Sequence, residues 1–237
     1  MSALNDPDFV RREYADERGL AARKAAQSTA TGADPYSVVF DGVAEGAPGL
    51  ILEVGCGRGE LAERMSLELD ARVVAVDQSE RMVALTRQRG VEAIVGDVQD
   101  LPFRDGIFDA AVAAWMLYHA ADLELALREL RRVLRPDGRL VAATSSERNL
   151  HELWELVGEI GAPADGFTAE NAEWALLRHF TIVRRCDVYG TVRFPDRDAA
   201  ARHVAAVPTR GHLAGSLPDF EGSLDATRHV VVFVAEP

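Results

Sequence analysis

The stretch LILEVGCGRGELA, residues 50–62, decides the fold. It opens with an apolar run typical of a buried strand (Leu50–Val54), continues with three glycines spaced two apart (Gly55, Gly57 and Gly59), and becomes helix-forming at Glu60. A strand, a glycine turn and a helix in that order make the βα unit at which open α/β sheets bind nucleotides. The turn alone does not say which kind of nucleotide.

The spacing of the glycines disfavours a phosphate ligand. The dinucleotide fingerprint Gly-x-Gly-x-x-Gly needs a glycine at position 60, which is Glu60, and the Gly-Lys-Ser/Thr of a P-loop is missing. A glutamate in the first helical turn would also repel a pyrophosphate placed on the N-terminus of that helix. We therefore expect a nucleoside without phosphate at this turn.

Two aspartates further along the chain define that nucleoside. Asp77 ends the strand of VVAVDQS and lies 20 residues beyond Gly57, the distance at which an acid accepts hydrogen bonds from ribose hydroxyls. Asp97, in VGDVQDLPF, follows the next short strand, where a carboxylate can accept from the exocyclic amine of adenine. The turn and both acids fall at carboxyl ends of predicted parallel strands, so the sequence predicts an adenosine site.

The segments EVGCGRG, VVAVDQS, GDVQDLPFRDGIFDAAV and LRRVLRPDGRLV, in this order, resemble the four motifs of class I S-adenosylmethionine-dependent methyltransferases. They are most similar to the small-molecule, ubiquinone-biosynthesis-like branch, and the resemblance covers about residues 50–145. Apolar strands that alternate with amphipathic helices independently predict an α/β fold with a parallel sheet. The predicted strands are Leu50–Val54, Arg72–Asp77, Glu92–Val95, Phe108–Ala114, Arg139–Thr144 and Thr181–Tyr189, and the predicted helices are Tyr36–Ala44, Glu60–Leu69, Glu80–Arg89, Leu123–Leu134, Leu150–Ile160 and Thr168–His179. The family implies a Rossmann-like, doubly wound, seven-stranded sheet, mostly parallel, with an antiparallel last strand (Arg228–Ala235).

We expect one domain over residues 1–237. It would consist of an N-terminal helical cap (1–46), a cofactor-binding core (47–145), and a substrate-side, sheet-completing part (146–237) with an insertion before the last strand. The acceptor pocket is predicted from the N-terminal helices, the helix Asp196–Ala206 and the loop after it.

The resemblance also implies roles for individual residues around S-adenosylmethionine and its product, S-adenosylhomocysteine. The glycine turn would surround the methionine part, with Glu53 near its ammonium; Asp77 would hold the ribose, and Ala114 and Trp115 would pass near the sulfonium. The full predicted cofactor set is Tyr14, Arg23, Glu53, Gly55, Cys56, Gly57, Asp77, Gln78, Met82, Asp97, Val98, Ala114, Trp115 and His119. Gln78 and Met82 are assigned to the flanks of the adenine, and Asp97 and Val98 to its edge.

Several assignments leave alternatives open. His119 is a candidate base beside the transferring methyl or a packing histidine, and Tyr14 is a candidate catalytic or cofactor contact or a core aromatic. Arg23 is a candidate partner of the methionine carboxylate, with Arg18 as its rival. Cys56 is more simply a small filler of the turn than a nucleophile.

Composition limits the function classes. The net charge of −12 argues against nucleic acid as a partner, because binding phosphate backbones needs Lys and Arg. Two cysteines and scattered histidines match no metal motif, so no metal is expected. With no apolar run as long as a membrane span and no signal-like start, we expect a cytoplasmic protein, monomeric or homodimeric.

The sequence thus predicts a methyltransferase that modifies an N, O or C atom of a small molecule, mainly by positioning it. A composition resembling that of GC-rich actinomycete proteins suggests natural-product biosynthesis. Two alternatives remain, an RNA or protein methyltransferase and a non-catalytic cofactor-binding protein.

Overall fold

The computed structural model describes residue 6, residues 30–159 and residues 166–237. The strands are β1 (Thr31–Gly32), β2 (Leu50–Val54), β3 (Arg72–Asp77), β4 (Glu92–Val95), β5 (Phe108–Ala114), β6 (Leu134–Ser145), β7 (Ile182–Phe194) and β8 (Leu224–Glu236). The helices are α1 (Pro35–Ala44), α2 (Glu60–Glu68), α3 (Glu80–Gln88), α4 (Leu123–Val133), α5 (His151–Leu156), α6 (Ala172–Leu177) and α7 (Arg197–Ala205). Two 3₁₀ turns, Leu117–His119 and Gly211–Ser216, complete these elements.

The strands form a single sheet in the order β1-β7-β8-β6-β5-β2-β3-β4. Strands β2 to β6 pair in parallel, and β8 pairs antiparallel with both β6 and β7. The predicted doubly wound, mostly parallel sheet with an antiparallel last strand is therefore confirmed. The predicted count of seven strands is wrong by one, because Thr31–Gly32 adds a two-residue edge strand beside β7.

Capping residues place the helix starts where the sequence expected them. Asp34, Ser79, Asp122 and Asp196 each accept a hydrogen bond from a backbone N–H in the first turn of the helix that follows. These side chains satisfy backbone donors that would otherwise have no partner at a helix start. Helices α3 and α4 are capped in this way after β3 and β5, whereas α2 follows Gly59 of the glycine turn and has no side-chain cap.

Two apolar cores cover the two faces of the sheet. Leu52 and Leu127 belong to one core, and Ile51 and Met65 belong to the other. Successive residues of β2 thus point to opposite faces, and both are fully buried. This double burial explains why the strand is a continuous apolar run, as expected for a parallel sheet covered on both sides.

A third apolar cluster lies beyond the carboxyl edge of the sheet. It joins α5 and α7 to the far halves of β7 and β8, through Leu153, Val204, Val192 and Ala226 among others. Here β7 and β8 are longer than the sequence predicted, since β7 runs on past Tyr189 to Phe194. The insertion before the last strand contains α7 and the turn Gly211–Ser216, while α5 and α6 are shorter than expected.

The predicted N-terminal helical cap is only partly described. Within it, α1 packs against β6, β8 and β5, whereas residues 7–29 lie outside the described chain. In the parts of the chain that the structure covers, no helix is long and apolar enough to cross a membrane.

Candidate functional site

The glycine turn after β2 has a backbone that side chains would not tolerate. Gly55, Gly57 and Gly59 have φ values of 66°, 55° and 74°, a left-handed conformation that is costly for other residues. A Cβ atom on Gly55 would lie 2.6 Å from the Cβ of Met116, at the end of the neighbouring strand. The missing side chain therefore lets the ends of β2 and β5 approach each other beside the turn.

Two acidic residues flank this turn. Glu53 lies in β2 between β3 and β5 and is only 4% exposed. Asp77 ends β3, and its two carboxylate oxygens accept from the backbone N–H groups of Gly57 and Ser79, each at 2.9 Å. Burial raises the pKa of Asp77, and these two hydrogen bonds oppose that shift. Asp77 thereby holds the glycine turn in place from the next strand.

The turn after β4 has a different arrangement. Gly96 and Val98 face the same space as the glycine turn, together with Gln78. Asp97 uses its carboxylate on its own loop, where both oxygens accept from the side chain of Gln99. Met82 is fully buried beneath α3 and does not face that space.

The end of β5 carries a strained residue. Trp115 has φ = 54°, a conformation uncommon outside glycine and costly for a bulky side chain, and its N–H donates to Ala143 of β6 at 2.8 Å. Its ring packs against Tyr36 from the first turn of α1, with centroids 4.6 Å apart. Although Tyr36 is 39% exposed, desolvation of its phenol and the charges of Glu60, Glu53 and Asp34 raise its pKa to about 12. The phenol is therefore protonated, and a hydrogen-bond donor, at neutral pH.

His119 ends the 3₁₀ turn that follows β5. Its ring makes an edge contact with the neighbouring Tyr118, with centroids 4.4 Å apart. Both side chains line the same space as Trp115. The predicted base is thus at the mouth of the site, on a turn that β5 positions.

These residues enclose one cavity of about 710 Å³, within the usual size of small-molecule sites. We call the wall at the ends of β2 to β5 the turn half; it contains Glu53, Gly55, Cys56, Gly57, Arg58, Asp77, Gln78, Gly96, Val98, Ala114 and Trp115. We call the wall beyond β6 the cap half; it contains Thr144, Ser146, Glu147, Asn149, Trp154, Glu159, Phe167, Thr168, His203, Val207, Thr209, Arg210, Arg228 and Val230.

Ten of the residues predicted from the sequence line this cavity: Glu53, Gly55, Cys56, Gly57, Asp77, Gln78, Val98, Ala114, Trp115 and His119. Tyr14 and Arg23 lie outside the described residues. Trp154 and His203, which are not among the predicted site residues, belong to the cap half. Helix α7 and the loop after it also contribute to the wall, through His203 and Arg210.

Sequence reasoning missed Tyr36, Thr168 and Arg228. Tyr36 follows the capping Asp34, and its position two residues into a helix near the glycine turn is a weak signal. Thr168 and Arg228 come from distant segments, and neither belongs to a motif. Arg228 opens the predicted last strand, and no pattern distinguishes it from its polar neighbours Asp225, Thr227 and His229.

Cys56 has no features of a nucleophile. It is 7% exposed, and its sulfur lies 3.4 Å from the hydroxyl of Thr86. Burial, reinforced by the charges of Glu53 and Asp77, raises the pKa of the Cys56 thiol. The thiolate needed for nucleophilic attack is therefore disfavoured.

No metal centre is evident in residues 30–159 and 166–237, which contain no cluster of three His, Cys, Asp or Glu side chains suited to hold an ion.

Part of the chain matches a known protein family. Residues 52–142 match the family described as "Methyltransferase domain". The chain is 31% identical over 169 residues to a malonyl-[acyl-carrier protein] O-methyltransferase of Erwinia pyrifoliae, covering 66% of this chain and 61% of that protein. It is 37% identical over 98 residues to the 27-O-demethylrifamycin SV methyltransferase of Amycolatopsis mediterranei, covering 38% of this chain and 36% of that protein.

A solved structure has the same fold along nearly the whole chain. It is an S-adenosylmethionine-dependent methyltransferase of Thermotoga maritima, described as a possible histamine N-methyltransferase, with a TM-score of 0.58, 22% identity, and 97% of both chains covered. The curated relatives agree over a shorter stretch, and the first three are matched over 38%, 61% and 33% of their lengths. The chain is thus similar to the class I S-adenosylmethionine-dependent methyltransferases in its motifs, over residues 52–142, and in its fold.

Proposed function

We propose that this protein transfers a methyl group from S-adenosylmethionine to an N, O or C atom of a small molecule. The observation that carries the proposal is the continuity of the cavity. The turn half has the acids and close backbone of an adenosine site, and the cap half adjoins it within the same 710 Å³. One enclosed space can therefore hold a donor and a small acceptor together.

The residues of the turn half suit S-adenosylmethionine. Glu53 is a buried and Asp77 a half-buried carboxylate in the wall, and Asp77 lies at the strand end where ribose hydroxyls are bound in such sheets. A Cβ at Gly55 would narrow the turn, so the bare backbone gives room for the methionine part. When bound, S-adenosylmethionine supplies a reactive methyl group on a cationic sulfur, and acidic groups suit that charge.

The main task of the chain in this reaction is positioning. Trp115 is locked at the end of β5 by its backbone bond to Ala143 and by the ring of Tyr36. Rigid walls of this kind hold two reactants in line and exclude water. Positioning can lower a barrier by roughly 7–11 kcal/mol.

Proton removal, where the acceptor needs it, is assigned to His119. It lines the cavity four residues after Trp115, within the part of the wall that the end of β5 positions. Tyr36 is unsuited to the role because its pKa of about 12 keeps it protonated. Tyr14 stays a candidate contact to the donor or the acceptor.

A small molecule is the favoured acceptor class. The net charge of −12 disfavours RNA, and the named relatives include a methyltransferase of a rifamycin. Natural-product biosynthesis is a fitting context. The cap half lies outside residues 52–142, the part of the chain that matches the methyltransferase family. Its side chains would therefore determine which acceptor binds.

Thermal-shift titration tests the donor assignment. We expect S-adenosylmethionine and S-adenosylhomocysteine to stabilise the protein and NAD to have no effect; a ligand at 100 times its Kd contributes about 2.7 kcal/mol. Asp77→Ala should abolish the shift, whereas Asp70→Ala, at an exposed carboxylate outside the cavity, should preserve it. Absence of a shift with both sulfur compounds would refute the proposed function.

A further inference from the structure

Arg228 is a buried cation in β8. It lies in the part of β8 that extends past β6 and pairs only with β7, opposite Gly190. A Cβ on Gly190 would lie 2.6 Å from Nη2 of Arg228 and 3.0 Å from its Cζ. The glycine therefore leaves the space in which the guanidinium sits.

The guanidinium of Arg228 is buried, and only some of its hydrogen-bond donors have a partner. The residue is 4% exposed, and its Nη2 donates to the carbonyls of Thr31 and Ala33, at 3.3 Å for Thr31. Its Nε is buried and has no hydrogen-bond partner in the described chain. A buried donor without a partner costs free energy, which a ligand acceptor group would recover.

Nearby arginines differ from Arg228 because they have carboxylate partners. Arg193, also on the β7–β8 pair, forms an exposed ion pair with Asp225 at 2.6 Å. Arg210, in the cap half, pairs with Glu159 at 3.2 Å and stacks on the ring of Trp154. Their charges are already compensated within the protein.

Asp34 acts on Arg228 electrostatically, but its carboxylate is used elsewhere. It accepts from the backbone N–H groups of Tyr36 and Ser37 at the start of α1. Burial lowers the pKa of Arg228, as expected for a cation whose desolvation is not fully compensated. A bound anion would supply the missing compensation.

Resting on the proposed function, we propose that the cap half binds a methyl acceptor with one anionic group, a carboxylate or a phosphate ester, held by Arg228. The rest of the acceptor would be apolar, because Val230, Phe167 and Trp154 line the same half of the cavity. Glu147 and Glu159 also lie in this wall, so a polyanion is disfavoured. The hydroxyl of Thr168, buried and without a partner in the described chain, offers a second hydrogen bond.

Matched probes test this assignment without knowledge of the natural acceptor. Phenylacetate, cinnamate and hexanoate are each compared with their primary amides, and phenyl phosphate with phenol, by ligand-observed NMR with and without S-adenosylhomocysteine. We expect at least one anion to bind about tenfold more tightly than its neutral partner, equivalent to about 1.4 kcal/mol. Preference for the carboxylates or for phenyl phosphate identifies the anionic group.

Substitution locates the effect. Arg228→Gln should bring anion and neutral probe within twofold of each other, Arg228→Lys should retain part of the preference, and Arg193→Gln should leave it unchanged. No preference in the unmodified protein, or a preference that survives in Arg228→Gln, overturns the proposal. Since the first result needs no variant, the test holds even if Arg228→Gln does not fold.

The two proposals fail in different ways. If S-adenosylhomocysteine does not bind but the anion preference depends on Arg228, the methyltransferase assignment fails and the anion site stands. If S-adenosylhomocysteine binds and no probe shows the preference, the donor site stands and the anion site is rejected.

Discussion

In the turn half of the cavity, each wall segment follows directly on a parallel strand, and its residues lie within a few positions of a recognisable motif. In the cap half, Thr144, Trp154, Phe167, His203 and Arg228 come from four separate elements and a loop, spread over 85 residues of chain. The first half lies on the central sheet. In the second half, the third apolar cluster supports α5 and α7, whereas Phe167 belongs to a core of the sheet. The difference predicts that the two halves can be perturbed separately.

The largest separate effect is expected in the third cluster. Leu153 of α5 is fully buried there, and Leu153→Ala should lower the free energy of unfolding by about 2–5 kcal/mol through the cavity it leaves. Urea unfolding measures this loss, with Leu67→Ala as control because Leu67 is 79% exposed.

Affinity for S-adenosylhomocysteine tests whether the damage stays in the cap half. Measured calorimetrically at low temperature, it should remain within about twofold of the unmodified protein, or about 0.4 kcal/mol. A parallel tenfold loss of donor affinity would contradict the division of the cavity.

The converse perturbation is Gly55→Ala. The left-handed backbone costs a side chain about 1–2 kcal/mol, and the overlap with Met116 adds about 1–3 kcal/mol. We expect lower stability and a marked loss of donor affinity. Gly90→Ala is the matched control, since Gly90 has φ = 81° and a Cβ added there would have no atom within 4 Å. Equal effects of both substitutions would show that the contact with Met116 is unimportant.

A pH titration sharpens the role of Asp77. Because its folded-state pKa is raised, the native chain binds this proton more tightly than the unfolded chain does. The ligand-free protein should therefore gain stability from Asp77 as the pH falls through the raised pKa. Affinity for S-adenosylhomocysteine should fall over the same range, because a protonated carboxyl accepts fewer hydrogen bonds from ribose.

Asp77→Asn isolates that titration from those of other acids. Asp187, for example, has its pKa lowered to about 2 by Arg185 and by His229, so its contribution to stability is lost as the pH falls. The difference between the two proteins should carry the Asp77 effect alone. If the affinity of Asp77→Asn for S-adenosylhomocysteine showed the same pH dependence as that of the unmodified protein, the Asp77 carboxylate would not be the group that titrates.

The smallest effect is expected at Cys56. Iodoacetamide at pH 8 should alkylate the exposed Cys186 and spare Cys56, as measured by mass spectrometry of the digested protein. Cys56→Ser replaces the thiol beside Thr86 with a hydroxyl group. It should change the free energy of S-adenosylmethionine binding by less than about 1 kcal/mol. Rapid labelling of Cys56, or loss of methyl transfer in Cys56→Ser, would reinstate the thiol as a functional group.

The same division explains what the sequence could predict. Strands β2, β3, β4 and β5 have the predicted bounds, because burial on both faces leaves a continuous apolar run and the turns carry glycine or capping residues. Most of the predicted contacts of the turn half follow from those strand ends. Met82 and Asp97 are predicted to contact the cofactor but do not line the cavity. Only tertiary packing determines that the Met82 side chain is buried under α3 and that the Asp97 carboxylate is hydrogen-bonded to Gln99.

The cap half was not predictable in the same way. Strand β7 is predicted to end at Tyr189, but pairing with β8 extends it to Phe194. That pairing joins positions more than 30 residues apart. No local pattern of residues reports which side chains such long-range pairing brings to a cavity wall.

The long antiparallel pair of strands β7 and β8 has a consequence for how specificity can change during evolution. It pairs without interruption from Ile182 with Glu236 to Phe194 with Leu224, so Arg228 sits on the same continuous ladder as the residues that anchor the core. The backbone amide hydrogens of this strand pair should exchange with solvent as slowly as those of the central sheet. A new acceptor would therefore be accommodated by substitution of side chains such as Arg228, while the backbone and the length of these two strands change little.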